Sequence, residues 1–203
     1  MVRRGPNRFA ADPISRLWAW YAKPRSRAVE CVWVFVLAFV GTLCLRAFVV
    51  EARWIPSSSM LPTLAQGDRL LVDKLGLRFR QPRPGSIVVF APPKRAWRYR
   101  IRHALIKRVV AGPGDRIHFE NGLVHVNGKP LVEPYLAKKP HYEQPDWQAL
   151  GMPGGRVPAA SVFVMGDNRD NSADSRVFGP VPFDHMIGRP LLRVWPVQRL
   201  AVL

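Results

Sequence analysis

Cysteine is almost missing from this chain. Only Cys31 and Cys44 occur among 203 residues, and both lie in one apolar run. On a helix their separation is about 20 Å, whereas a disulfide needs Cα atoms within about 7 Å, so the two cannot pair within one helix. The chain beyond Cys44 has no cysteine, which excludes a disulfide scaffold and a Cys-ligated zinc domain there. Acidic residues are also scarce: 14 Asp and Glu face 31 Lys and Arg, a formal net charge of +17. Such a surface attracts lipid headgroups, nucleic acid or acidic proteins, and charge alone does not choose among them. Internal repeats and low-complexity tracts are absent. No long amphipathic helix is evident outside the apolar run. The length suits one domain plus an anchor, and 20 prolines with 15 glycines point to a turn-rich, strand-rich body.

The apolar run is the first feature present. Cys31 to Leu45 carries no charge, and after Arg46 the run resumes to Val50. About twenty such residues cross a hydrocarbon core of roughly 30 Å, with Arg46 near one end able to snorkel. No polar stripe at helical spacing marks a buried core helix. The run is longer than the h-region of a cleavable leader, and Glu51-Ala52-Arg53-Trp54 offers no small-x-small cleavage site. An uncleaved signal anchor over 29–50 is therefore expected. Arg3, Arg4, Arg8, Arg16, Lys23, Arg25 and Arg27 precede it and only Arg53 follows closely. The positive-inside rule then puts residues 1–28 in the cytoplasm and 51–203 outside, with Trp18, Trp20, Tyr21 and Trp54 as interfacial anchors.

The body reads as short strands. RLLVDKL (69–75) and SIVVF (86–90) flank the breaker run 81–85; LIKRVVA (105–111) runs into a Gly-Pro-Gly-Asp turn. RIHFE (116–120) and LVHVN (123–127) flank Asn121-Gly122, a strong hairpin signal, and a second Asn-Gly follows at 127–128. SVFVM (161–165) and residues 191–195 complete the strands. The expectation is a mainly β, antiparallel catalytic domain with a reduced hairpin extension over about 116–160, preceded by one N-terminal transmembrane helix.

Three segments could carry chemistry. Ile55–Leu64 (IPSSSMLPTL) begins within about 30 Å of the span; on composition alone a Pro/Ser cluster reads as a linker, against which Met60, Leu61 and Leu64 argue weakly. Gly166–Arg176 (GDNRDNSADSR) reads as a charged loop. It alternates Asp170, Ser172 and Asp174 as a calcium loop does, but Ser175 replaces the required Gly and Val181 the closing Glu, so calcium is rejected. Lys107 and Arg108 point to opposite faces of their strand, so at least one can face inward, and a buried lysine loses charge readily.

Together these stretches resemble the bacterial type I signal peptidases, the leader peptidases of serine/lysine peptidase family S26. The matches are Pro56–Leu64, Gly67–Lys74, Lys107–Asp115 and Gly166–Arg176, in the family's order. The resemblance implies an antiparallel β fold of coiled sheets and a membrane-bound serine endopeptidase that removes signal peptides from exported preproteins through an acyl-enzyme. Ser59 would be the nucleophile and Lys107 the general base. Ser57 would join the Ser59 N–H in the oxyanion hole, Ser172 would orient the lysine, and Asp174 with Arg176 would form a structural ion pair. More loosely, Ile55, Leu64 and Ile106 would wall the substrate pockets. No cofactor or metal is implied. The partners would be exported preproteins, the bilayer and its anionic headgroups, downstream of the translocation machinery, in the cell (inner) membrane with the catalytic domain extracytoplasmic.

The chemistry is coherent, because a serine hydroxyl needs an adjacent base and a lysine serves when burial brings its pKa to roughly 7–8. The five histidines suggest no triad. Ser58 and Arg53 depart from the family pattern, the latter where an apolar pocket residue is expected. His118 and His125 should face each other across the hairpin, a paired-His metal site being conceivable but lacking an evident third ligand. The basic run 92–103, with Trp97 and Tyr99, could bind nucleic acid. In a domain tethered this closely, headgroups suit it better than nucleic acid. Competing readings are a self-cleaving repressor, which would carry a DNA-binding motif instead of an anchor, a pilin-processing peptidase of a conjugation system, and a non-catalytic membrane-tethered basic β module.

Overall fold

The computed structural model describes residues 27–44, 49–138, 140 and 142–203. Two compact units divide at Cys44/Leu45. In the first, helix α1 spans Arg27–Cys44, 18 residues. Its apolar side chains, including Phe35, Leu37 and Phe39, are exposed. At 1.5 Å per residue it is about 27 Å long. Among the described residues no helix is long and apolar enough to cross a membrane. The expected span to Val50 is therefore not realised as one helix: residues 45–48 lie outside the described set and Val50 already belongs to a strand. The basic flank 3–25, Trp18, Trp20, Tyr21 and Arg46 also lie outside the described residues.

The second unit is a curled antiparallel sheet. Its strands are β1 (Val50–Trp54), β2 (Arg69–Asp73), β3 (Ile87–Phe90), β4 (Leu105–Ala111), β8 (Ser161–Met165), β9 (Val181–Pro182), β10 (Met186–Trp195) and β11 (Ala201–Val202). Their order is β1-β2-β10-β3-β4-β8-β9, with β11 on β10. Between them, β5 (Ile117–Glu120), β6 (Leu123–Val126) and β7 (Lys129–Pro130) form a separate three-stranded sheet. Short helices α2 (Gly76–Phe79) and α3 (Ser175–Phe178) cap two connections.

The curl has a local cause. β10 pairs with β2 through Arg189–Trp195 and with β3 through Met186–Gly188, with two register shifts in the first ladder, one in the second and a fourth between β4 and β8. Each bulge adds twist and bends its strand. β3 is buried on both faces, and its alternation splits the core: Ile87 and Val89 join Ile55, Met60, Leu64, Leu70, Val72 and Ile106, while Val88 and Phe90 join Val109, Val164 and Phe178. A third cluster, centred on Val110, Ile117, Phe119, Phe163 and Met165, seats the small sheet. Asn121 and Gly122 adopt φ of 52° and 73°, as do Asn127 and Gly128 at 54° and 76°, so both Asn-Gly pairs form the expected turns. His118 stands opposite His125. Among the described residues no group of three or more His, Cys, Asp or Glu is placed to hold a metal.

One strand was hidden in the sequence. Val50 reads as the end of the apolar run and Glu51–Trp54 as the flank that follows it, yet Val50–Trp54 pairs residue for residue with β2, Val50 opposite Asp73 and Trp54 opposite Arg69. The partner strand, which periodicity within 50–54 cannot reveal, decides its state.

Candidate active site

The Ile55–Leu64 segment is no linker. Met60 and Leu64 are fully buried, Leu64 N–H donates to Met60 O at 2.9 Å, and Ile55 exchanges backbone bonds with Asp68 and Gly67. Two apolar anchors on one tight turn therefore hold Ser59, itself 8% exposed, against the sheet. From β4, Lys107 enters the same site at 2% exposure, while Arg108 turns to the opposite face as strand alternation requires.

Lys107 Nζ donates to Ser59 Oγ at 2.6 Å. Ser57 Oγ lies 3.3 Å from Ser59 Oγ, and the Ser59 N–H has no acceptor among the described residues. Burial lowers the lysine's pKa to about 8; Asp174 and Asp167 pull it back up and Arg176 pushes it down. Desolvation wins because an ammonium loses more by leaving water than two carboxylates not bonded to it return.

The Gly166–Arg176 loop closes over the pair. Asn168 N–H donates to Ser59 O at 3.0 Å, and its side chain reaches Ser58 O at 3.1 Å. Asp174, fully buried, accepts from Gly166 N–H at 3.0 Å and pairs with Arg176 through Nε at 2.9 Å and Nη2 at 2.8 Å. The ion pair anticipated from the sequence is thus formed. Gly166 packs so closely that a Cβ there would collide with Ser59 O and the Ser172 side chain. Ser172 differs from expectation. Its Oγ is buried with no hydrogen-bond partner, so the anticipated contact to Lys107 is not made; it fills the space beside Gly166 instead.

A cleft of about 350 Å³ opens between the end of β1 and the start of β4, lined by residues that include Arg53, Ile55, Pro56, His103, Ala104 and Ile106. Ile55 and Ile106 are among its lining residues. Leu64 is not, because it is sealed in the core beneath. Arg53 does line the cleft, pairing with Glu51 at 2.9 Å.

Sequence reasoning missed a second layer. Arg108 donates to Asp167 through Nε at 2.8 Å and Nη2 at 2.6 Å, Thr63 donates to the same carboxylate at 2.5 Å, and the Tyr135 ring stacks on the guanidinium at 4.0 Å. Tyr135 donates to Glu133 at 2.8 Å. Glu133 makes a two-pronged ion pair with Arg169, whose Nε also donates to Gly166 O at 2.9 Å. Arg169 and Glu133 side chains are 2% and 7% exposed. Burial works to lower the guanidinium's pKa, but the Glu133 bonds and charge outweigh it, so its pKa lies above the ordinary value. The segment after β7 is thereby fastened to the Gly166–Arg176 loop. Only the rarity of a carboxylate in so basic a chain could have drawn attention to Glu133. Glu133→Gln leaves a buried guanidinium with no charged partner, an expected loss of about 3 kcal/mol, checked by denaturant titration of the purified protein in detergent; a loss below about 0.5 kcal/mol, the range of ordinary surface changes, would refute the buried pair.

A family model for signal peptidase, peptidase S26, matches residues 28–195. The probable signal peptidase I-1 of Synechocystis sp. is 45% identical over 172 residues, 84% of this chain and 84% of its own. The signal peptidase I of Leptolyngbya laminosa is 43% identical over 183 residues, 89% of this chain and 86% of its own. A crystal structure of a signal peptidase I from Enterococcus faecalis aligns with a TM-score of 0.45 at 28% identity, covering 54% of this chain and 97% of that one.

Proposed function

Because the chain belongs to the peptidase S26 family of signal peptidases, and so is a serine endopeptidase that removes signal peptides from exported preproteins, we propose that Ser59 is its nucleophile and Lys107 its general base. The observation that carries this is the 2.6 Å bond from a buried lysine to a buried serine hydroxyl. Neutral Lys107 takes the Ser59 proton as Oγ attacks the scissile carbonyl, and returns it to the leaving amine. The developing oxyanion accepts from the Ser59 N–H and the Ser57 hydroxyl, each donor being worth on the order of 3 kcal/mol in such a step. The acyl-enzyme at Ser59 is then hydrolysed by water, with Lys107 again the base. Asp174 and Arg176 brace the loop that presses on Ser59.

The residues before the cut would lie extended in the cleft between the end of β1 and the start of β4, with Ile55 and Ile106 meeting small side chains. Arg53 at its edge adds a positive charge that an apolar residue at 53 would lack.

The membrane assignment is the second part of the reading. Charge-free Cys31–Leu45, the exposed apolar side chains of α1 and the basic residues before it support a single-pass anchor with residues 1–28 cytoplasmic, a span that starts near residue 29 and the catalytic unit outside. Exposed Trp54, Trp97, Tyr99 and Trp195 suit the headgroup region. The basic run 92–103 suits the anionic surface. The anchor also disfavours the repressor alternative. The buried dyad disfavours a non-catalytic module. A pilin-processing peptidase would share the dyad and differ in substrate. Full-length protein in detergent, given a preprotein whose leader ends in small residues, should release a mature chain that starts just after them, as read by N-terminal sequencing. Cleavage elsewhere, or none, would defeat the assignment.

A further inference from the structure

Three segments meet at the dyad, and one arginine ties them together. Arg108 follows Lys107 on β4 and points to the other face. Its Nε and Nη2 donate to Asp167, next to Gly166 in the loop, at 2.8 and 2.6 Å. Nη2 also reaches Thr63 Oγ1 at 3.4 Å, just beyond the turn that carries Ser59, and Nη1 donates to Gly85 O at 2.8 Å. Thr63 completes the triangle by donating to Asp167. The Lys107 strand, the Ser59 turn and the Gly166–Arg176 loop are therefore fixed to one another through a single guanidinium. The Arg108 side chain is 11% exposed and that of Asp167 0%.

Tyr135 lies over this junction. Arg108 Cζ is 4.0 Å from its ring centroid, within the range at which a guanidinium is attracted to an aromatic face. The Tyr135 hydroxyl donates to Glu133 Oε1 at 2.8 Å. Glu133 pairs with Arg169, whose Nε donates to Gly166 O at 2.9 Å. One side chain from the segment after β7 thus meets both arginines that hold the loop to the dyad, one directly and one through Glu133. Burial and the neighbouring Glu133 raise the phenol's pKa, so it stays a donor throughout the range in which Lys107 titrates. Tyr135 is not among the residues that line the cleft at Ile55 and Ile106.

We propose that Tyr135 is a positioning residue for the dyad: its ring keeps water from the Arg108–Asp167 pair and its hydroxyl sets Glu133 on Arg169, so that the segment after β7 holds Lys107 against Ser59. This role rests on the Ser59 and Lys107 reading above. The groups around Lys107 give the expected sign. Asp174 and Asp167 raise its pKa, Arg176 lowers it, and burial outweighs them. The Ser59 turn presents hydroxyls, and the register partner on β3 is the apolar Val88. Without the ring, water reaches Arg108, the pair loosens, and less of the Asp167 charge is cancelled. Water nearer Lys107 also eases its desolvation. Both changes favour the ammonium.

The test measures kcat and KM against pH for the full-length protein in detergent, acting on a preprotein. Tyr135→Ala should move the midpoint of the acid limb up by about half a pH unit or more, a loss of about threefold or more in kcat/KM at pH 7, with KM changed by no more than about twofold. Tyr135→Gln keeps a donor for Glu133 and has no ring. It should move the midpoint likewise, and it guards against a folding defect in the alanine variant. Tyr135→Phe keeps the ring and should keep the wild-type midpoint. A wild-type midpoint in both ringless variants would overturn the role, as would a change confined to KM. An equal shift in Tyr135→Phe would overturn the ring as the shield. NMR of lysine-labelled protein, with Lys107→Met identifying the signal, follows the titration of Lys107 without turnover. A raised Lys107 midpoint in Tyr135→Ala, alongside undiminished cleavage by Lys107→Met, would defeat the dyad while the shield stands. An inactive Lys107→Met with no change in the ringless variants would overturn Tyr135 alone.

Discussion

Ser59→Ala and Lys107→Met are each expected to lower preprotein cleavage by about 10⁴-fold or more, because the members of such a unit act together and losing one forfeits most of what the pair supplies. Both variants should fold. The first removes one hydroxyl, and the second replaces a side chain 2% exposed by an apolar one of similar length. Methionine also ends the cost of holding an amine out of water. Initial rates on a purified preprotein, with a thermal melt for each variant, decide the matter. Either variant cutting within tenfold of wild type would remove that residue from the mechanism.

Activity should also climb steeply with pH. The base works only when neutral, and burial sets the Lys107 pKa at about 8. Its neutral fraction is half at that pH and about one in a hundred at pH 6, so kcat/KM should fall roughly fiftyfold between them and level off above about pH 9. With the ordinary lysine value of 10.5 only about one molecule in three thousand would be competent at pH 7, against roughly one in eleven here. The stability consequence has a definite sign. Between about pH 8 and 10.5 the unfolded chain binds a proton at this lysine that the folded chain does not, so this group's destabilising effect is full below pH 8 and relieved as pH rises through that window. A pH–rate profile flat from pH 5 to 8 would exclude Lys107 as the base.

Much of the frame was legible in the chain. β4 coincides with LIKRVVA, both Asn-Gly pairs turn where their tolerance of positive φ places them, and β8 matches SVFVM. These succeed because the signal is local: β-branched runs bounded by turn residues need no partner to be recognised. β1 failed for the opposite reason. Val50 closes the apolar run and Glu51–Trp54 read as its flank, and only pairing with β2 makes them strand.

The site divides along the same line. The order of Ser59, Lys107 and the Gly166–Arg176 loop was carried by motif, and alternation along β4 said that Lys107 and Arg108 must face opposite ways. Packing decided the rest. It turned a Pro/Ser stretch that composition reads as linker into a turn anchored by Met60 and Leu64. It sank Leu64 into the core instead of the cleft, left Ser172 Oγ without its expected lysine, and gave Arg108 and Arg169 the carboxylates of Asp167 and Glu133. The sequence by itself determined which groups could do the chemistry and in what chain order. Tertiary structure decided whether Lys107 is charged, since desolvation and distance are properties of the packed site and neither is written in the order of residues along a chain.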